Sequence, residues 1–319
     1  MAFAVSLRDL SYLVAVAETG QFGEAARRCH VSQPTLSMQL KKLEERFGAA
    51  LFERGPRGAV PTPLGERVIA QAKIVLREVA RLEELARGDG DPFAGPLRLG
   101  VIPTSGPYLL PLVLPGLKQA YPRLRLVLRE ATTARLLVQL AQGELDAAIL
   151  SPPFDGRGLA SAPIGREAIV VALPPGHPLA ARARLEPREL AGEPLILLED
   201  GHCFRDQALR LSERLGLSPH AEVRASSIES LRQMVSAGTG PALLPAFATL
   251  GPFAQGAPIA VRPLDHPEAA RGLALVWRKS SPLGAAFTEL AGELRALLAA
   301  VASRSESRVR TERGPSAEE

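Results

Sequence analysis

The 319-residue chain has little cysteine: Cys29 and Cys203 are its only thiols, and they lie far apart in sequence. Such spacing frames neither a small disulfide scaffold nor a set of metal ligands, so neither a metal nor a cofactor is expected. Long apolar runs are missing too. No stretch approaches the ~18 to 20 residues that a membrane-spanning helix needs, and the start, MAFAVSLRDL, has no basic segment leading into a sustained apolar one. These absences predict a cytoplasmic protein with no membrane partner. Excess charge is also small. The net of +4 arises from 38 Lys or Arg against 34 Asp or Glu, and with a pI near 9.4 it is compatible with a nucleic-acid partner without arguing strongly for one. What is present is 46% hydrophobic and 23% charged residues, enough for two or three domains with real cores.

The first sixty residues read as helices. Leu7, Leu10, Leu13, Val14 and Ala17 recur at helical spacing up to Gly20, and FGEAARRCH forms a short second helix. After Val31, Ser32 is placed to cap a third helix. Pro34 fits its first turn, and Leu36, Leu40, Leu43 and Phe47 continue one apolar face. Two helices joined by so short a turn form a helix-turn-helix. Ser32, Gln33, Pro34, Thr35, Ser37 and Gln39 then lie on the first turns of the second helix, where small polar side chains reach base edges in a major groove. A helical hairpin with a solvated polar face has the same pattern. The segment LFERGPRGAVPT that follows reads as a two-stranded wing, with Arg54 and Arg57 placed to touch phosphates or a minor groove. Residues 1–62 hold eight Lys or Arg against six Asp or Glu, so one copy would bind double-stranded DNA only modestly. Two or four copies on adjacent half-sites would bind well.

A long helix from Leu64 to about Arg87 places Val68, Ala72, Val75, Val79, Leu82 and Ala86 at steps of four and three, the rhythm of a two-helix seam. A homodimer is expected, the alternative being a helix packed on its own domain. Gly88, Gly90, Pro92, Gly95 and Pro96 mark a hinge-like linker. From residue 96 strand-like runs alternate with helices in a βαβ pattern that implies parallel sheets, two lobes and a cleft. GLALVWR and a final helix over 285–302 return to the first lobe, and a charged tail over 304–319 reads as disordered. Thr104, Ser105, Thr132, Thr133, His202, Cys203, Ser226 and Ser227 fall just after strands, where open α/β sheets bind ligands. Singly, each is an ordinary helix cap; together they suit a small polar ligand.

Cys203 stands out in LLEDGHCFRDQAL, between a strand-like run and a helix. At that junction unpaired backbone N–H groups and the positive end of the helix dipole favour negative charge on sulfur, and His202 and Arg205 add donors. A buried structural cysteine is the alternative. Two functional alternatives also stand: a regulator responding to a small metabolite, with Cys203 incidental, and a thiol peroxidase, for which the helix-turn-helix and the heptad helix have no use.

The string AARRCHVSQPTLSMQLKKLEERFG followed by LFERGPRGAVPTPLGE closely resembles the N-terminal domain of LysR-type transcriptional regulators. GPLRLGVIPTSGPYLLP, REATTARLLVQL, LLEDGHCFRDQAL, SSIESLRQMVSAGTG and LALVWRKSSPL extend the resemblance to the OxyR, or hydrogen peroxide-sensing, branch. It implies an α/β fold: a winged helix-turn-helix over 1–62, a dimerising linker helix over 63–90, and over 96–303 an effector domain of two Rossmann-like subdomains, similar to a periplasmic binding protein. It implies a regulator rather than an enzyme, hydrogen peroxide as signal, and dimers pairing into a homotetramer. RNA polymerase is a further expected partner. By resemblance Cys203 is the peroxidatic cysteine, and Thr104, Thr133, His202, Asp206 and Arg278 surround the thiol and bound peroxide. Two-cysteine members of the branch carry a resolving cysteine nine residues on, where this chain has Ser212. The expectation is therefore a one-cysteine sensor that stops at sulfenic acid or is capped by a small thiol.

Overall fold

A computed structural model describes residues 5–55, 58–87, 92–93, 95–250 and 258–311, with the side chains at 54, 81, 83–87, 219–221 and 302–311 outside the description. The chain divides into two units, residues 1–94 with 141–144, and residues 95–140 with 145–319.

In the first unit, α1 (Leu7–Thr19) opens with a capping box between Ser6 and Asp9 and stops at Gly20. Helix α2 (Phe22–Arg28) is shorter than the pattern predicted. Cys29 caps it, and His30 turns the chain with a φ of 54°, a conformation that few side chains other than Asn, Asp and His adopt readily. Helix α3 (Gln33–Phe47) begins where expected, with the Ser32 hydroxyl accepting from the Thr35 N–H and Pro34 in the first turn. Replacing such a cap by alanine costs about 1 kcal/mol. Leu36, Leu40 and Leu43 bury against Leu13, Val16 and Ala25 to make one core. The wing is a hairpin, β1 (Phe52–Gly55) antiparallel to β2 (Gly58–Pro61). Its Ala59 N–H donates to the Gly20 carbonyl, and a Cβ at Gly58 would collide with that oxygen.

Helix α4 (Pro63–Arg87) has the expected length. Ile69 and Ala72 are buried in the unit's own core with Val68 packed beside them, so the first third of the heptad seam is spent inside the unit. Farther along, Val75 and Val79 are half-buried and Leu82 is 64% exposed. Of the linker, residues 88–91 and 94 lie outside the description.

The second unit is built on one mixed sheet, in the order β4-β3-β5-β11-β6-β9-β7-β8, with β10 also on β6. Strands β3 (Pro96–Val101), β4 (Arg125–Glu130) and β5 (Ala147–Leu150) are parallel, as are β7 (Pro194–Leu198), β8 (Ser218–Ala225) and β9 (Ala242–Pro245). The expectation of purely parallel sheets fails at the middle. The 15-residue β6 (Leu159–Leu173) pairs antiparallel with β11 (Ala270–Arg278) along its first part, then with β9 and β10 (Ala260–Pro263) along its last. Alternation of strand and helix does not report the direction of a strand that passes straight from one lobe to the other. Helices α5 (Gly106–Ala120) and α6 (Thr133–Ala141) belong to the first lobe, α7 (Cys203–Leu215) and α8 (Ile228–Ser236) to the second. The last helix, α9 (Gly284–Thr311), packs on α5, β6 and β11. Its backbone continues past 303, where the tail was expected to lose structure; residues 312–319 lie outside the description. No helix among the described residues is long and apolar enough to cross a membrane.

Candidate functional site

Cys203 is the first residue of α7, half-buried, where the helix's leading N–H groups have no carbonyl one turn back. Its side chain packs on an apolar cluster of the other lobe: Ile102, Leu136, Leu140, Leu145, Ala148, Leu150, Ala274 and Val276. One helix therefore takes its backbone support from β7 and β8 and rests its first side chain on the facing lobe. Farther along, the Gln207 amide donates to Ser151 Oγ at 2.8 Å and to the Pro152 carbonyl at 3.2 Å, while Ser151 Oγ donates to the Gly272 carbonyl at 2.7 Å.

His202, just ahead of the helix, has Nε2 3.2 Å from the Ser226 carbonyl oxygen. A carbonyl only accepts, so Nε2 carries the hydrogen, and in the neutral ring Nδ1 is a bare acceptor. That Nδ1 is buried and has no hydrogen-bond partner among the described residues. Thr133 Oγ1, at the start of α6, is likewise buried and has no partner among the described residues. His202 and Thr104 face a cleft of about 550 Å³, shared with Pro103, Pro107, Tyr108, Glu130, Ser226, Ser227, Ile228 and Glu229. Burial, reinforced by Glu229, pushes the Tyr108 hydroxyl up to about 12.

The expected site residues thus divide. Thr104 and His202 share the cleft wall, and Cys203 sits beside His202 with its side chain turned to the apolar cluster. Arg278 is buried at the end of β11, where its Nη1 donates to the carbonyls of Leu140 and Leu145, both at 2.9 Å. That arrangement ties it to α6 and the loop after it, the same residues on which Cys203 rests. Asp206 is exposed, its carboxylate 4.0 Å from Arg205, which pairs more closely with Asp200 at 2.9 Å.

Arg271 was not legible in the sequence. It is 3% exposed and forms a buried ion pair with Glu167, its Nε and Nη2 lying 2.8 and 2.7 Å from Glu167 Oε2. It also donates to Thr104 Oγ1 at 3.0 Å, to the Thr104 carbonyl at 2.7 Å and to Ser105 Oγ at 2.9 Å. Its guanidinium lies 5.1 Å from the centre of the Phe204 ring, the residue after Cys203. Burial pushes the Glu167 carboxyl up, against the lowering pull of Arg271 and of the Phe247 N–H. Removing one partner from such a pair costs about 3–5 kcal/mol. An arginine inside a strand and a glutamate a hundred residues away carry no sequence signal of pairing.

On α3, Ser32, Gln33 and Pro34 are exposed, Ser37 is half-buried and Met38, one turn on from Pro34, is 50% exposed. Thr35 Oγ1 is engaged with Ser32 at 2.7 Å, and Gln39 is half-buried. Arg54 pairs with Ala59 through the wing backbone, its side chain lying outside the description, as does all of Arg57.

Residues 7–66 match the family model for the bacterial regulatory helix-turn-helix protein of the lysR family, and residues 90–299 match the LysR substrate binding domain. The chain is 44% identical over 291 residues to a hydrogen peroxide-inducible genes activator of Dickeya chrysanthemi, covering 91% of this chain and 95% of that one. It is also 44% identical over 292 residues to the DNA-binding transcriptional dual regulator OxyR of Escherichia coli K12, covering 92% and 95%. Among solved structures, a full-length OxyR of Pseudomonas aeruginosa with a cysteine-to-aspartate substitution superposes with a TM-score of 0.76 at 39% identity, covering 92% of this chain and 96% of that one. A cysteine-to-serine OxyR mutant of Corynebacterium glutamicum, H2O2-bound, superposes with 0.66 at 33% identity, covering 97% of each.

Proposed function

Since the chain belongs to the LysR family of transcriptional regulators, in its OxyR branch, we propose that it senses hydrogen peroxide by oxidation of Cys203 alone, to sulfenic acid, with no intramolecular disulfide. The reading rests on one arrangement: a partly exposed thiol at the start of α7 with no second thiol within its own unit. Ser212 occupies the resolving position, buried in the same helix. Nine residues of α-helix put it roughly 13.5 Å along the axis and on the opposite face. Cys29 packs against the core of the other unit.

The chemistry is a two-electron oxidation. The sulfur attacks one peroxide oxygen, an S–O bond forms and the O–O bond breaks. The departing oxygen takes up the thiol proton and leaves as water. His202 Nδ1 is the acceptor that carries this proton in transit, and the Thr104 hydroxyl is the donor that meets the departing oxygen. Thr133 Oγ1, buried without a partner, offers a second polar contact to bound peroxide. Oxidation then places a hydroxyl on a side chain that rests on hydrocarbon. Burying it without a partner costs on the order of 1–3 kcal/mol, enough to move the start of α7 and shift the population between two arrangements of the effector unit. The Gln207–Ser151 bond and the stacking of Phe204 on Arg271 are the contacts at stake.

The same reading gives α3 and the wing to double-stranded DNA, with Gln33, Pro34 and Ser37 foremost and Arg54 and Arg57 on the backbone. Dimers form through the remainder of the α4 seam and pair into tetramers, and RNA polymerase is the downstream partner. Footprinting of a DNA site tests the whole chain of events: peroxide changes the footprint of the unaltered protein, and Cys203→Ala binds but no longer responds. The 550 Å³ cleft favours a second reading, a small-metabolite regulator; calorimetric binding of a small molecule in the absence of peroxide, with no peroxide response in the unaltered protein, would decide for it.

A further inference from the structure

We propose that Met38 reads a base, its target the C5-methyl group of a thymine in the major groove; the proposal rests on the reading above that gives α3 to double-stranded DNA. Leu36, Leu40 and Leu43 fix the side of α3 that the unit's core takes. At 3.6 residues per turn, Met38 lies about 170° round the helix from their mean direction, and Pro34, one turn earlier, about 150°. Both are exposed, Met38 by 50%. Leu7, Phe47 and Leu64 are exposed too, but each sits in the first or last turn of its helix. Met38 stands in the second turn of α3 and takes no part in the core built by the described residues. Pro34 and Met38 thus make an apolar strip on the face turned away from the protein, with Ser37 on one flank and Lys41 and Lys42, both exposed, just beyond it.

What this strip fits follows from the chemistry of base edges. The major groove presents hydrogen-bond acceptors, donors and one apolar group, the thymine methyl. A thioether has no donor and its sulfur accepts only weakly, so Met38 adds little to a hydrogen-bonding edge. Against a methyl it gains by excluding water, and its unbranched, polarisable chain adapts to the shape it meets. Charge favours the same occupant. Lys41 and Lys42 follow the strip, and Arg27 and Arg28 are exposed on α2, so the apolar contact forms where phosphates are attracted and hold the helix in register. Taking one methyl out of such a contact weakens binding about fourfold, the equivalent of one buried carbon.

The test uses the full chain under reducing conditions. Duplexes are selected by it from a random-sequence library, and each thymine of the enriched site is then replaced in turn by uracil, which differs only in lacking the methyl. Dissociation constants are compared for the unaltered protein, Met38→Ala and Met38→Leu. At one thymine of each half-site, uracil is expected to weaken the unaltered protein about fourfold. Met38→Ala should bind the thymine duplex more weakly by a similar factor and no longer distinguish thymine from uracil there, while Met38→Leu, still apolar, keeps the distinction. A merely structural role would weaken thymine and uracil duplexes alike, and that result overturns the proposal, as does a uracil penalty that Met38→Ala leaves unchanged at every position. A changed oligomeric state of Met38→Ala without DNA, with the uracil penalties intact, would give the side chain to a second copy instead. If the unaltered protein enriches no sequence at all, the assignment of α3 to DNA itself fails.

Discussion

Cys29 and Cys203 stand at opposite ends of helices, and the contrast between their surroundings is what the proposal of a single sensing thiol rests on. Cys29 ends α2, its N–H already bonded to the Ala25 carbonyl, and its side chain packs against the first core. Burial pushes its thiol up from the ordinary value, with Arg28 pulling weakly the other way. Cys203 begins α7, among N–H groups that lack helical acceptors, beside an imidazole with a bare nitrogen and next to a cleft. Exposure does not separate the two, since both side chains are half-buried; the helix end and the neighbours, which bear on thiol reactivity, do.

The largest effect that sharpens this contrast is functional. Cys203→Ala is expected to abolish the peroxide-dependent change in a DNA footprint, whereas Cys29→Ala keeps it; a response lost only in the Cys29 variant would reverse the assignment. Next comes the support beneath the sulfur. Leu140→Ala removes a fully buried side chain from the cluster under Cys203 and is expected to cost about 2–5 kcal/mol in the second unit, read as a lower denaturation midpoint, with faster labelling of Cys203. The first unit's DNA binding should be retained.

A smaller effect lies in pH. Cys29 is expected to label with iodoacetamide more slowly than Cys203 at neutral pH, the gap narrowing as pH rises past the ordinary thiol range. The sign follows from its raised value: the unfolded chain ionises this thiol first, so the stability gained by keeping it neutral is present below the ordinary thiol pKa and is lost as pH climbs through the folded one. Equal labelling of both cysteines would erase the contrast. Smallest is Ser212→Ala. The Ser212 hydroxyl is buried with no hydrogen-bond partner among the described residues, so its removal should leave stability unchanged or raise it by about 1 kcal/mol, without altering the oxidation of Cys203.

The sequence carried the local parts of this structure well. Helix starts at Ser32 and Cys203, the wing around Gly55 and Gly58, and the alternation of strands and helices all follow from short-range chemistry, because caps, turns and periodicity are written in adjacent residues. What it did not carry is non-local. The straight passage of β6 between lobes depends on which strands it meets, and the Arg271–Glu167 pair joins positions with no spacing rule between them. His202 was expected as a donor; its Nε2 faces the Ser226 carbonyl, which in the neutral ring leaves Nδ1 as an acceptor, a distinction set by a partner in another loop. The seam on α4 was read as free for pairing, although Val68 and Ala72 are taken by the unit's own core.

The most direct test of the central claim is peptide mass spectrometry of the full chain after a mild dose of hydrogen peroxide, with sulfenic acid trapped by dimedone and the DNA footprint followed in parallel. The account predicts one dimedone adduct, on Cys203, growing in step with the change in footprint while Cys29 remains reduced. A footprint that changes while Cys203 stays unmodified, or a predominant disulfide between Cys29 and Cys203, would contradict it.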